Sequence, residues 1–435
     1  MGEDFLSKKN IFFNTLIFSV PAIFFLFNPS KFPADDGFFY PQIAYHVIKG
    51  DGFTFNNLYD TNGFHPLWMM VCLIAEVINW GNKQFVLYIL WFFQVVFFIG
   101  GLYFLGCFLK NSVGRILSNS YLSLVFLSFG TLFLLESHLD FFVISFCLYY
   151  LAKEKINYFY LGIIFSLVFL ARLDNVFILF FLGIYLLVNK ISIRNILTLI
   201  LGFFLLVIPY FLYNYFEFGS IVPISGRIKS HFPNMPSYLE LLLWNKVFII
   251  INTFYLFLII LKKTLFRRLK FFYGLGALAQ IVYNTLFQSQ IGQWYYIAQI
   301  VVFALLVSEI FNFLKFSQRR IFNVFSVCCV LLLCGVGYFK LTTSMSIANN
   351  VISSYTKLEK KDDDLVKKVT QDLNVLISKN KRVFVYDFPG KFAFYSDFEV
   401  IPADGLVANK KYFNEISNEK FSVFLKKNNI ENVVL

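Results

Sequence analysis

Apolar and polar positions alternate along this chain in long blocks, and the blocks set the first expectations. Taking about 20 apolar residues as one bilayer crossing, apolar spans are predicted near 11–27, 84–109, 116–135, 139–152, 157–170, 174–188, 195–213, 246–261, 271–288, 294–314 and 321–340. That makes about eleven, several of them short enough to tilt or to lie partly buried. The segment from His65 to Trp80 is interrupted by Glu76 and suits an interfacial, juxtamembrane helix better than a crossing. Beyond about 341 the hydrophobicity drops and the period changes. Val366, Val369, Leu373 and Leu376 recur at helical spacing, and 382–387, 398–401 and 433–435 read as strands, with an amphipathic stretch at 418–427 before the last. The fold class expected is an α-helical polytopic membrane protein over 1–340, followed by a small α/β domain over 341–435.

Composition agrees with that class: 58% of residues are hydrophobic and only 15% charged, far from a soluble domain. The net charge of +12 would suggest nucleic acid in a soluble protein. Here the basic residues fall in short runs between spans, at Lys110 and Arg115, Lys153 and Lys155, Lys190 and Arg194, 262–270, and Lys315 with Arg319 and Arg320. They report orientation, so no nucleic-acid partner is expected. All these runs share one side if residue 1 is cytoplasmic. The first span lacks a small-residue cleavage site and reads as a retained helix and not a signal peptide. Cysteines 72, 107, 147, 328, 329 and 334 lie in apolar stretches without metal-ligand spacing and read as buried hydrophobes.

The same orientation collects the motif-bearing loops on the other face: 28–83, the turn at Glu136, residues 171–174, 214–245 and 288–296. The first carries DDGFFYPQIAYHVIKGDGFTFNN and, further on, TNGFHPLW. Adjacent carboxylates at a membrane surface either face water as a turn before Gly37 or do chemistry. With LES at 135–137, ARLDNVF at 171–177, GSIVPISGRIKS at 219–230, QWYY at 293–296 and DFPGKFAFYSDFEVIPADGL in the tail, this run resembles the bacterial GT-C glycosyltransferases, the multi-spanning enzymes that use polyprenyl-phosphate sugars. The likeness extends to the protein mannosyltransferase and lipid A aminoarabinose transferase branch. Two departures stand out: a Leu-Leu pair precedes Glu136 where small residues are usual, and Asp174 stands where an Arg-Pro-Glu pattern is common.

The resemblance implies transfer of a sugar from a polyprenyl-phosphate donor to an extracytoplasmic acceptor, whether glycan, lipid or protein, at a bacterial cytoplasmic membrane. Asp35 aligns with the family's catalytic base. Asp36, together with Glu136 and His65, would hold a divalent cation, Mg²⁺ or Mn²⁺, since hard oxygen donors select such ions. Arg172, Arg227 and Lys229 are the phosphate-binding candidates, because they break the positive-inside pattern. His65 is a second candidate for that phosphate. Gln293, Trp294 and Tyr295 end a span, where they either anchor the membrane interface or stack on a sugar. The competing functions are a transporter or flippase of a polyprenyl-linked lipid, which would place charges at mid-membrane, and a non-catalytic envelope assembly factor.

Overall fold

The computed structural model describes residues 10–19, 34–79, 83–109, 112–128, 132–230, 242–261, 264–288, 291–313, 365–379 and 381–434. Among these, four helices are long and apolar enough to cross a membrane: Phe85–Leu109, Ile193–Phe218, Leu243–Leu261 and Gln293–Ile310. The expected eleven crossings are not shown. Asn10–Ser19, Ser137–Leu151, Tyr158–Ala171 and Leu173–Val188 are apolar but shorter than a full span. Helix Arg267–Phe287 has the length, at 21 residues, but carries Lys270, Gln280 and Asn284 on its buried side. The expected span at 321–340 lies outside the described residues. Pro66–Asn79 forms the helix expected after the first loop.

Small residues let the helices approach closely, as packing in an apolar medium requires. A Cβ on Gly162 would fall 2.1 Å from the Leu199 carbonyl oxygen, and one on Gly202 would fall 2.2 Å from that of Phe159. These two glycines therefore fix the pairing of Tyr158–Ala171 with Ile193–Phe218. Gly100 and Gly101 do the same for Lys83–Leu109, where rings Phe142 and Phe141 of helix Ser137–Leu151 take the space.

One group of polar side chains inside the helical part is linked by mutual hydrogen bonds, as an apolar surrounding favours. Asn175 donates to Asp140 Oδ1 at 2.6 Å and to the Val168 carbonyl at 3.0 Å, while Gln280 donates to Asn175 Oδ1 at 3.0 Å. This chain ties the end of Tyr158–Ala171 to two neighbouring helices. It thereby fixes the turn at 172–175.

The C-terminal unit is a three-stranded, all-parallel sheet, with β1 (Arg382–Val385) between β2 (Glu399–Pro402) and β3 (Ile430–Val434). Parallel neighbours need crossovers. Helix Pro389–Tyr395 supplies the first, and Lys410–Asn418 with Phe421–Lys427 supply the second. Helix Leu365–Leu376 and the first two strands fall where the sequence pattern predicts them, while β3 begins three residues before the expected 433–435. Helix Pro389–Tyr395 was not predicted.

Candidate functional site

The first-loop helix Asp36–Lys49 begins with the acidic pair, Asp35 standing as its N-cap residue. Side chains four residues apart share a helix face, so Asp36 and Tyr40 look the same way. Both line a cavity of about 320 Å³, together with His65, Glu136, Arg172, Asp174, Lys229, Trp294 and Tyr295.

Four separate segments bring the charges there. Trp68 donates from Nε1 to the Leu134 carbonyl at 2.9 Å, and Gln94 bonds both the Leu134 amide (3.1 Å) and the Leu135 carbonyl (2.8 Å). Together they hold the turn before Glu136 in a shape in which Leu134 has φ 61°, the left-handed region that favours glycine. That strain sits where the Leu-Leu pair replaces small residues. Arg172 ends Tyr158–Ala171 in extended conformation and turns inward. The short helix Ile224–Lys229 is pinned at its start by Asn62 Oδ1, which accepts from the Ile224 amide at 3.0 Å. Just past its end, Ser230 pairs with Gln288. Trp294 and Tyr295 lie in the 3₁₀ turn Gln293–Tyr296.

Arg172 is the centre of the polar wall. Its Nε and Nη2 each meet Asp174 at 3.1 Å, and Nη1 meets Glu136 Oε1 at 2.5 Å and the Trp294 carbonyl at 3.2 Å. The guanidinium also lies over the Tyr295 ring at 4.4 Å. Burial pulls its pKa down, but Asp174 and Glu136 outweigh that and leave it above the ordinary value. Glu136 Oε2 accepts from the Tyr40 hydroxyl at 3.3 Å, and the same hydroxyl accepts from the His65 amide. Asn284 donates to Asp174 at 3.2 Å. Tyr40 and Asn284 were not anticipated, although the four-residue spacing from Asp36 was a readable signal for the first.

Lys229 stands apart, its Nζ 3.5 Å from Asp36 Oδ2 and 5.8 Å from the Tyr295 ring centre. Burial pulls its pKa down, and Tyr295 and Asp36 more than restore it. His65 Nε2 lies 3.6 Å from Glu136 Oε1. Burial holds the imidazole below its ordinary pKa despite that carboxylate, so it is neutral at pH 7.

Several expectations change. Asp35, expected as the base, is not on the cavity wall: its carboxylate accepts from the Gly390 and Lys391 amides at 2.8 and 2.7 Å. Asp36 is the carboxylate of the pair that faces the cavity. The cation set of Asp36, Glu136 and His65 does not fit a metal. Both Glu136 oxygens are occupied by Arg172 and Tyr40, Asp36 is paired with Lys229, and among the described residues no group of three or more His, Cys, Asp or Glu is placed to hold an ion. Arg172 is committed to two carboxylates, which leaves Lys229 as the phosphate candidate on the wall. Arg227 is exposed and off the wall, and Gln293 likewise does not line the cavity. His65, Trp294 and Tyr295 do.

Apolar and aromatic side chains of Leu173, Val176, Phe177, Val222 and Tyr283 also line the cavity. Val176 and Val222 among them are 47% and 54% exposed. The lining of the cavity is therefore mixed, with charged, aromatic and aliphatic side chains sharing its wall. No family model matches this chain, and no curated protein matches it.

Proposed function

We propose that the protein is a multi-spanning membrane glycosyltransferase that takes a sugar from a polyprenyl-phosphate carrier and joins it to an acceptor hydroxyl. The observation that carries this reading is the mixed lining of the cavity, in which exposed Val176 and Val222 and other apolar side chains share the wall with the pair of Asp36 and Lys229. A phospholipid-like donor needs both kinds of lining: apolar surface for its chain and a cation for its phosphate. In this reading the cavity faces outward from a bacterial cytoplasmic membrane, the N-terminus is cytoplasmic and the C-terminal unit extracytoplasmic.

The chemistry then assigns roles to this chain's own groups. Asp36 takes the proton of the acceptor hydroxyl as its oxygen bonds to the anomeric carbon. The bond from that carbon to the phosphate oxygen breaks, and the electron pair leaves with the polyprenyl phosphate. Lys229, released from Asp36 as that carboxylate accepts the proton, stabilises the leaving phosphate. Arg172 fixes Glu136 and Asp174 behind them, and neutral His65 donates or accepts one hydrogen bond. Trp294 and Tyr295 offer the sugar a face on which to stack. No step is routed through a metal, since the donor set is occupied.

Two measurements on purified full-length protein test the reading. Mass spectrometry of lipid that copurifies with it should find a polyprenyl phosphate or its glycosylated form. With that lipid as donor, Asp36→Asn should lower transfer by about 10²–10⁴-fold, the usual weight of a general base. Transfer by Asp36→Asn at the wild-type rate, or lipid movement across vesicles without any glycosylated product, would overturn it, the second in favour of a flippase.

A further inference from the structure

The two carboxylates of the first loop divide between two surfaces, and the second surface has a structure of its own. Pro389 has no amide hydrogen, so the amides of Gly390 and Lys391 are the first donors of helix Pro389–Tyr395, and Phe388 at its N-cap position offers no side-chain acceptor. Asp35 accepts from both. At the other end Lys83 Nζ lies 3.4 Å from the Ala393 carbonyl, 3.2 Å from that of Phe394 and 3.1 Å from Gln42 Oε1. A seven-residue helix is too short to be stable alone. This one is gripped at both ends by side chains from the helical part, each of the sign that its dipole favours.

Close packing completes the contact. Phe38 meets Phe394 and Tyr395 at ring separations of 5.4 and 5.9 Å. A Cβ on Gly390 would fall 2.4 Å from the Asp35 carbonyl oxygen. The Tyr59 hydroxyl lies 2.9 Å from Glu415 Oε2 and 3.1 Å from Asn428 Oδ1. Most tellingly, the Leu406 carbonyl sits on Gly63, where a Cβ would come within 2.0 Å of it, and Leu406 is part of the cavity wall. The chain reaches that turn directly from helix Pro389–Tyr395 through β2, so seating the helix seats the turn. Asp404 in the turn accepts from the Leu406 amide at 2.9 Å and lies within the electrostatic reach of Asp36 and Lys229.

We propose that Asp35 is a positioning residue: by holding helix Pro389–Tyr395 against the first loop, it seats the 404–406 turn at the cavity wall and so shapes where an acceptor meets Asp36. The inference rests on the transferase reading for its consequence, but its geometry is independent of it. Burial of Asp35 supports it, pushing the carboxyl up to about 7 against the pull of the two amides. The docked state thus binds the proton more tightly than the undocked state, and docking weakens as pH rises toward that value.

Hydrogen exchange on the full-length protein, which needs neither donor nor acceptor, decides the matter. In Asp35→Ala, and in Lys83→Met at the other end of the helix, peptides covering 388–396 and 402–408 should exchange severalfold faster, as expected when buried backbone groups lose their side-chain partners. Strand β1, at 382–385, should keep its protection. In the wild type the opening of 388–396, corrected for intrinsic exchange, should rise between about pH 4 and 7 and level off above that, and Asp35→Ala should flatten that rise. Unchanged protection at 388–396 in both variants, or equal loss at β1, overturns the proposal. Failure of the wild type to bind an added polyprenyl phosphate counts against the transferase reading alone.

Discussion

Arg172 and Lys229 line one cavity, yet they are built differently. The Arg172 side chain is 2% exposed, as is 1% of Glu136, and it meets two carboxylates and a carbonyl. Lys229, 10% exposed, meets Asp36 at 3.5 Å, a carboxylate that is 29% exposed, and lies near the Tyr295 ring. A planar guanidinium bridging several acceptors is pre-organised, whereas an ammonium on a flexible stem exchanges partners readily. A buried, multiply bonded cation holds a scaffold. Lys229 is itself buried, but its flexible stem lets the ammonium shift from Asp36 toward an anion in the cavity, and the two positive charges are thereby given separate tasks.

The largest test of this contrast is Arg172→Met. It leaves Glu136 and Asp174 buried without their cation, and breaking such a pair costs about 3–5 kcal/mol. The variant should lose thermal stability in detergent or fail to accumulate. Arg172→Lys should not restore it, because one ammonium cannot reach both carboxylates and the Trp294 carbonyl in a fork. Melting of Arg172→Met at the wild-type temperature would remove the scaffold role.

Lys229→Met should act in the opposite manner, with a smaller cost to the fold. Met keeps the apolar stem of Lys229, and Asp36 at 29% exposure can regain water, so melting should shift less than in Arg172→Met. Binding of a polyprenyl phosphate, followed by calorimetry, should weaken about tenfold to a hundredfold, as for loss of one charge-assisted hydrogen bond. Equal losses of binding in Lys229→Met and in a stable conservative variant at Arg227, which is exposed and off the wall, would show that general surface charge and not the cavity attracts the phosphate.

Part of this arrangement was legible in the sequence. Of the candidates in the outer loops, Asp36, His65, Glu136, Arg172, Lys229, Trp294 and Tyr295 all reach the cavity. Which member of the acidic pair faces it was not legible. Neighbouring residues at a helix start point in different directions, and the helix rotation is set by Phe38 and Phe39 packing into the core, a tertiary matter. The commitment of Glu136 to Arg172 was hidden for the same reason, since 36 residues separate them. Helix Pro389–Tyr395 escaped because its seven residues are rich in aromatics and glycine and its ends are capped from elsewhere in the chain. The eleven spans came from counting apolar residues. Polar groups such as Asn175 and Gln280, which bond each other inside the bundle, make several helices shorter or less apolar than that ruler assumes.

Acidity separates the two regions by the smallest but most specific effect. At the scaffold, Arg172 stays charged at any accessible pH, its pKa held above the ordinary value by Asp174 and Glu136 after burial has pulled it down. At the seated turn, burial pushes Asp404 up to about 6, opposed by the Leu406 amide and raised further by Asp36. Lys83, lowered by burial and by Lys49 to about 8, remains mostly charged below pH 7.5. A carboxyl whose docked pKa exceeds its ordinary value of 3.8 binds more protons docked than undocked. Its contribution is therefore complete below the ordinary value and is lost as pH rises through about 6. Exchange of peptides over 402–408, corrected for intrinsic rate, should accordingly open severalfold between about pH 4 and 6, while peptides over 168–175 stay unchanged. Asp404→Asn should reduce the change in that window and leave the rise up to about 7 that belongs to Asp35. A parallel opening of both regions would mean that they form one unit, and the division between a fixed scaffold and a seated wall would fall.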